Sequence, residues 1–135
     1  MENDPYLNTD NCVERLYKEY TKHKRLVIAV DFDDTLYPFH GTNYNCNKVI
    51  EIVKEAQAAG FYITIFTASR AERHPFILEH TKSIGIVPDS INKNPIELPF
   101  GNEGKIYYNL FLCDRAGLAE SFRILRKLLD KIKNN

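Results

Sequence analysis

Five residues, Asp31-Phe32-Asp33-Asp34-Thr35, constrain this chain most, because they place three carboxylates directly after an unbroken apolar run, residues 26–30 (LVIAV). That run is β-branched and uniformly apolar, the pattern of a strand buried on both faces, as strands of parallel sheets are. Two unit charges ~4 Å apart repel by roughly 4 kcal/mol at an effective dielectric of ~20. A divalent cation, a shared proton or a fixed lysine offsets such repulsion, and the first and third leave marks elsewhere in a sequence.

Residues 1–8 read as a frayed start. Thr9 or Asp10 is suited to cap a helix carrying Val13, Leu16, Tyr17 and Tyr20, which ends in the basic run Lys22-His23-Lys24-Arg25. That run has two readings: a solvated helix end placed well against the macrodipole, or an anchor for an anionic substrate. After the first strand, residues 37–45 read as a loop. Val49, Ile50, Ile52, Val53, Ala56 and Ala59 then recur at helical spacing, with Gly60 as a stop, and residues 61–66 (FYITIF) form a second strand. A helix of about 13 residues rises ~20 Å, enough to return the chain to the starting edge in a right-handed βαβ unit.

Thr67 therefore emerges at the same sheet end as Asp31. Pro75 suits the first turn of a third helix, which Gly85 stops. A short third strand is expected over residues 89–92, a long loop over 93–104, a fourth strand over 107–113 and an amphipathic helix from Leu118 onward, frayed at 133–135. This is an α/β chain. The proposed strand order 4-1-2-3 reverses between strands one and four, and ligands of open α/β sheets bind at such a point, beyond the carboxyl ends of the strands. Asp31 and Asp114 would face each other across that crevice.

At 135 residues the chain fits a single domain, residues 1–135. Lys plus Arg and Asp plus Glu both number 18, so no global basic platform for nucleic acid is indicated. No apolar run approaches the roughly 20 residues that span a bilayer, and no signal-peptide pattern opens the chain, so no membrane partner and a cytoplasmic location are expected. Cys12, Cys46 and Cys113 are odd in number and lack CxxC spacing, which disfavours a disulfide framework and a zinc site.

The motifs resemble those of the haloacid dehalogenase (HAD) superfamily of phosphohydrolases. Asp31-Phe32-Asp33-Asp34-Thr35-Leu36 is similar to the first motif, DxDxT/V after a strand, and Ile63-Thr64-Ile65-Phe66-Thr67 to the second, an apolar strand ending in Thr or Ser. Lys105 to Arg115 (KIYYNLFLCDR) resembles the lysine, strand and acidic pair of capless members, with one acid missing. The resemblance implies a Rossmann-like three-layer domain, a small parallel sheet flanked by helices without a cap. It also implies a Mg²⁺-dependent phosphomonoester hydrolase working through an aspartyl-phosphate. Asp31 would be the nucleophile and Asp33 the general acid and base. Thr67 and Lys105 would hold the phosphoryl oxygens, and Asp31, the Asp33 carbonyl and Asp114 would hold Mg²⁺.

Each residue also has a plainer reading: Asp33, Asp34 and Thr35 as helix or turn caps, Thr67 as an ordinary strand end, Arg70 as a solvated side chain rather than a phosphate contact. His40 and His74 read as loop and helix-cap residues. Lys93 competes with Lys105, which is preferred for its distance to the fourth strand. Where capless relatives carry two adjacent aspartates this chain has Cys113-Asp114, and a thiol is a poor Mg²⁺ ligand. About 30 residues separate Leu36 from Thr67 and about 20 separate Thr67 from the third strand, which leaves no room for a cap. An open site suits a phosphorylated macromolecule or closure by another subunit of a homo-oligomer. The apolar tips Tyr37-Pro38-Phe39 and Leu98-Pro99-Phe100 either cover the site in part or pack onto the body. Two other readings stay open: a degenerate HAD-like binding or regulatory protein, and a receiver-like signalling domain.

Overall fold

The apolar runs become the strands of one parallel sheet. The computed structural model describes residues 4–97 and 104–135, so the Leu98-Pro99-Phe100 tip lies outside the described residues. Strands β1 (Val27–Asp31), β2 (Tyr62–Phe66), β3 (Ser90–Ile91) and β4 (Leu110–Leu112) pair in the order β3-β2-β1-β4, all parallel. Helices α1 (Thr9–His23), α2 (Asn47–Ala58), α3 (His74–Ser83) and α4 (Leu118–Lys133) flank it. This is a single small α/β domain with the expected strand order, and β1 sits between β2 and β4.

Strand alternation decides what each face of the sheet meets. Ile28 and Val30 of β1, Ile63 and Ile65 of β2, and Leu110 and Leu112 of β4 join one buried core with Ile52 and Val53 of α2, Ile77 of α3, and Leu125 and Leu128 of α4. On the other face the Thr64 hydroxyl donates to the Lys93 carbonyl at 3.0 Å, and Phe66 packs against Tyr108 and Phe111. The described residues Lys93 and Tyr108, from the two ends of the β3–β4 connection, therefore meet the second face.

Local chemistry sets the ends of the elements. Asn8, not Thr9 or Asp10, caps α1: in its extended conformation its side chain accepts from the Asn11 N–H at 3.0 Å, while Thr9 and Asp10 are already in the first turn. Gly60 (φ +90°) and Gly85 (φ +89°) turn the chain out of α2 and α3, as expected of glycines beyond a helix end. Strand β4 is shorter than the apolar run 107–113. Asn109 braces Val27 from both sides, its N–H donating to the Val27 carbonyl and its Oδ1 accepting from the Val27 N–H, each at 2.8 Å. Strand β3 is likewise short, because Asn92 (φ +54°) turns the chain away.

The basic run at the end of α1 is solvent-exposed, and Arg25 donates to the Tyr62 hydroxyl at 2.8 Å. Tyr62 opens β2, so Arg25 stands at the sheet end opposite Asp31, and the anionic-anchor reading does not apply to that site. Among the described residues no helix is long and apolar enough to cross a membrane.

Ile65 is fully buried and Leu7 is 76% exposed. Ile65→Ala is expected to cost ~2–5 kcal/mol in urea unfolding, and Leu7→Ala no more than ~0.5 kcal/mol. Equal losses from the two would contradict this placement of the core.

Candidate active site

The three carboxylates after β1 separate into three environments. Asp31 ends the strand, half-buried, and Val30 is in register with Leu112 of β4, so the residues after Leu112 arrive beside it. Donor atoms of Asp31, Cys113 and Asp114 all lie within 4.8 Å of one another. The Thr35 hydroxyl sits between the two carboxylates, 3.2 Å from Asp31 Oδ2 and 3.3 Å from Asp114 Oδ1, and accepts the Asp114 N–H at 3.0 Å. Thr35 is itself buried, so this contact stitches the two walls of the crevice together. Burial first, and then the hydrogen bond and charge of Asp114, push the Asp31 carboxyl up to about 6.

Asp33 is held by a cation instead. Arg73, in the one-turn segment Ala71–Arg73 before α3, grips it with two parallel bonds, Nη1 to Oδ2 at 2.7 Å and Nη2 to Oδ1 at 2.8 Å. Such a bidentate pair fixes the plane of a carboxylate as well as its charge. Nη1 also donates to the Ser69 hydroxyl at 2.7 Å, and the Ser69 N–H donates to the Thr67 hydroxyl at 3.0 Å, which ties Thr67 at the end of β2 to Asp33. The guanidinium carbon lies 5.5, 5.3 and 5.6 Å from the ring centres of Phe32, Phe39 and Phe76. Asp33 raises the Arg73 pKa further through its hydrogen bonds.

Asp34 adopts a left-handed conformation (φ +62°), which Asp tolerates better than most residues. Its carboxylate accepts from the Tyr44 hydroxyl, from the His40 N–H at 3.1 Å and from the His40 ring. Tyr44 first and His40 second hold its carboxyl down at about 2. Asp34 therefore pins the loop after β1, and His40, a plain loop residue by sequence, is one of the pins.

Of the residues expected at the site, Asp31, Asp33, Asp114 and Thr67 stand at the carboxyl end of the sheet. Thr67 is held there by Asn92, which accepts the Thr67 N–H at 2.9 Å and donates to its carbonyl at 2.8 Å. Lys105 lines a cavity with Lys93, Asn92 and Asp89 instead, and among the described residues neither lysine forms an ion pair with the acids. Arg73 does so at Asp33, and the exposed Arg115 lies 4.0 Å from Asp114. The sequence drew attention to Arg70, three residues before Arg73, and the only signal for Arg73 is a second arginine shortly before Pro75 in the connection that leaves β2 at the active edge.

The donor chemistry at the crevice fits Mg²⁺. Two hard carboxylates converge, and among the described residues the only cation near either is Arg115, 83% exposed and 4.0 Å from Asp114. The raised Asp31 pKa marks uncompensated negative charge that a cation would relieve. Cys113 is the poor member of the set: burial pushes its thiol up, so it presents a protonated soft donor.

No family model and no curated protein matches the chain. Among solved structures, a conserved protein from Bacteroides thetaiotaomicron is similar at 22% identity and a TM-score of 0.62, covering 80% of this chain and 92% of that one. At that identity the likeness shows the fold.

Two outcomes are expected from these environments. A carboxyl whose folded pKa is raised from 3.8 to about 6 binds its proton more tightly in the folded state, so its contribution to stability is present below 3.8 and lost as pH rises toward 6. Without metal, the melting temperature of wild type relative to Asp31→Asn should fall across that window, and Mg²⁺ should restore it above pH ~6. Asp34 acts in the opposite sense and at lower pH, between about 2 and 3.8. A pH-independent difference would contradict the Asp31 environment. Cys113→Asp should tighten Mg²⁺ binding about tenfold or more in calorimetric titration, since it trades a soft neutral donor for a hard anion; unchanged affinity would remove Cys113 from the metal site.

Proposed function

We propose that the chain is a Mg²⁺-dependent phosphomonoester hydrolase with Asp31 as nucleophile. The observation that carries this reading is the meeting of Asp31 and Asp114 around the Thr35 hydroxyl, at the sheet edge where strand order reverses. Mg²⁺, held by Asp31, Asp114 and the Asp33 carbonyl, would supply charge neutralisation for the carboxylates and the phosphoryl oxygens.

In this reading a carboxylate oxygen of Asp31 attacks phosphorus in line, and the bond to the leaving oxygen breaks with its electron pair going to that oxygen. Asp33, two residues on, is the group placed to give that oxygen a proton and later to take one from water. Both of its oxygens are engaged by Arg73, so Arg73 must release one of them in the cycle, and the incoming phosphoryl oxygens are the anions that compete for it. Arg73 thereby takes a share of the role that sequence assigns to lysine, and Lys105 enters as the second cation from the neighbouring cavity. Thr67 is placed to hydrogen-bond the phosphoryl group. The absence of a cap between Leu36 and Thr67 leaves the site open to a phosphate carried on a large molecule.

One observation favours a second reading, a metal- or phosphate-binding protein without turnover: Cys113 occupies a position where the motif has an acid.

Hydrolysis of p-nitrophenyl phosphate in Mg²⁺ separates the two. The hydrolase reading expects turnover that is abolished in Asp31→Asn and lowered about 10²–10³-fold in Arg73→Gln, the usual scale for removing a donor that stabilises developing charge. A folded wild type that binds phosphate but turns over nothing with any divalent cation would replace it with the second reading.

A further inference from the structure

We propose that the site is built for aryl phosphates, with the aromatic leaving group resting on Phe39 and Phe76 beside Arg73; this rests on the hydrolase reading above. A general acid must come within ~2.6–3.2 Å of the leaving oxygen, so the group attached to that oxygen has to lie on the Asp33 side of the crevice. That side is aromatic. Arg73, fastened to Asp33, has the rings of Phe39 and Phe76 5.3 and 5.6 Å from its guanidinium carbon, and these rings are 52% and 44% exposed. Phe76 is braced edge-on by buried Phe32 and by Tyr37, and Phe39 packs edge-on to the His40 ring.

A sugar or a charged alcohol finds little to bond here. The Asp34 carboxylate is occupied by Tyr44 and His40 and the Arg73 guanidinium by Asp33 and Ser69, which leaves the Ser69 O–H as a donor. A flat ring finds aromatic faces and a guanidinium plane, both of which favour stacking.

The acid itself points the same way. Arg73 must let go of one Asp33 oxygen before that carboxyl can give a proton, and the leaving group that depends least on the proton is one that departs readily as an anion. Phenols ionise near pH ~10, several units below water at ~15.7. When the phosphorus–oxygen bond breaks, the electron pair stays on the aryl oxygen and the proton follows from Asp33. A free aryl phosphate and a tyrosyl phosphate within a peptide both carry this chemistry.

Binding of leaving-group mimics tests this apart from leaving-group reactivity. Benzylphosphonate and propylphosphonate each place a CH₂ where the bridging oxygen would be, and both would be measured as competitive inhibitors of phenyl phosphate hydrolysis in Mg²⁺. Benzylphosphonate should bind roughly tenfold more tightly, and Phe39→Ala and Phe76→Ala should each reduce that ratio about threefold while leaving propylphosphonate within about twofold. Phe39→Leu and Phe76→Leu, which keep apolar bulk, should fall between. A wild-type ratio near one, or a ratio that no variant changes while hydrolysis persists, overturns the aryl proposal alone. A folded wild type without hydrolysis overturns the hydrolase reading and this inference together. A phosphotyrosyl peptide hydrolysed more efficiently than phenyl phosphate would assign the site to peptide substrates, and the reverse order to free aryl phosphates.

Discussion

Electrostatic repulsion at the end of β1 is the constraint on which the rest of this structure depends. Three carboxylates leave one buried strand within four residues, and each is relieved in a different way. Asp34, on a left-handed backbone, is satisfied locally by hydrogen bonds from Tyr44 and His40. Asp33 is paired across the crevice by an arginine from the segment after β2. Asp31 alone is given no cation among the described residues; it meets another carboxylate around a buried hydroxyl, and burial first and that carboxylate second raise its pKa. A fold that satisfies two acids and leaves the third in deficit has concentrated an unsolved charge problem at one point, which is where a metal and a phosphoryl group would be accepted.

The scaffold makes that arrangement possible through connectivity. Because β1 lies between β2 and β4, residues after each neighbour, Thr67 and Asp114, arrive on either side of Asp31 without any long loop to hold them. The described ends of the connection from β3 to β4 are tied down by the Thr64 and Ser90 hydroxyls, which donate to the Lys93 carbonyl, and by Asn94, which accepts the Tyr107 N–H. These ends carry Lys93 and Lys105, which explains why two lysines of similar sequence promise share one cavity.

Much of this was legible in the sequence, for reasons that differ by residue. Apolar runs bounded by glycines and by a proline state their own periodicity, so the strands and the parallel β1–β2 crossover followed from pattern and βαβ handedness, and the facing of Asp31 and Asp114 from the proposed strand order. Arg73 did not, because a bidentate pair forty residues apart in the chain depends on where α3 begins relative to β1, and arginine is common in connections. Asn109 was equally silent: it reads as part of an apolar run, yet its side chain substitutes for backbone at the edge of β4. The cap of α1 moved by one residue for the same reason, since Asn8, Thr9 and Asp10 are all capable caps and only the backbone conformation selects among them.

The most direct test of the central claim, that Asp31 and Asp114 share a metal and Asp31 accepts the phosphoryl group, is a crystal structure of the protein soaked with Mg²⁺ and beryllium fluoride. The account predicts a fluoroberyllate bonded to an Asp31 carboxylate oxygen, with Mg²⁺ contacting both Asp31 and Asp114. An unmodified Asp31, with the metal absent or bound away from these two carboxylates under conditions that saturate a control phosphotransferase, would contradict it.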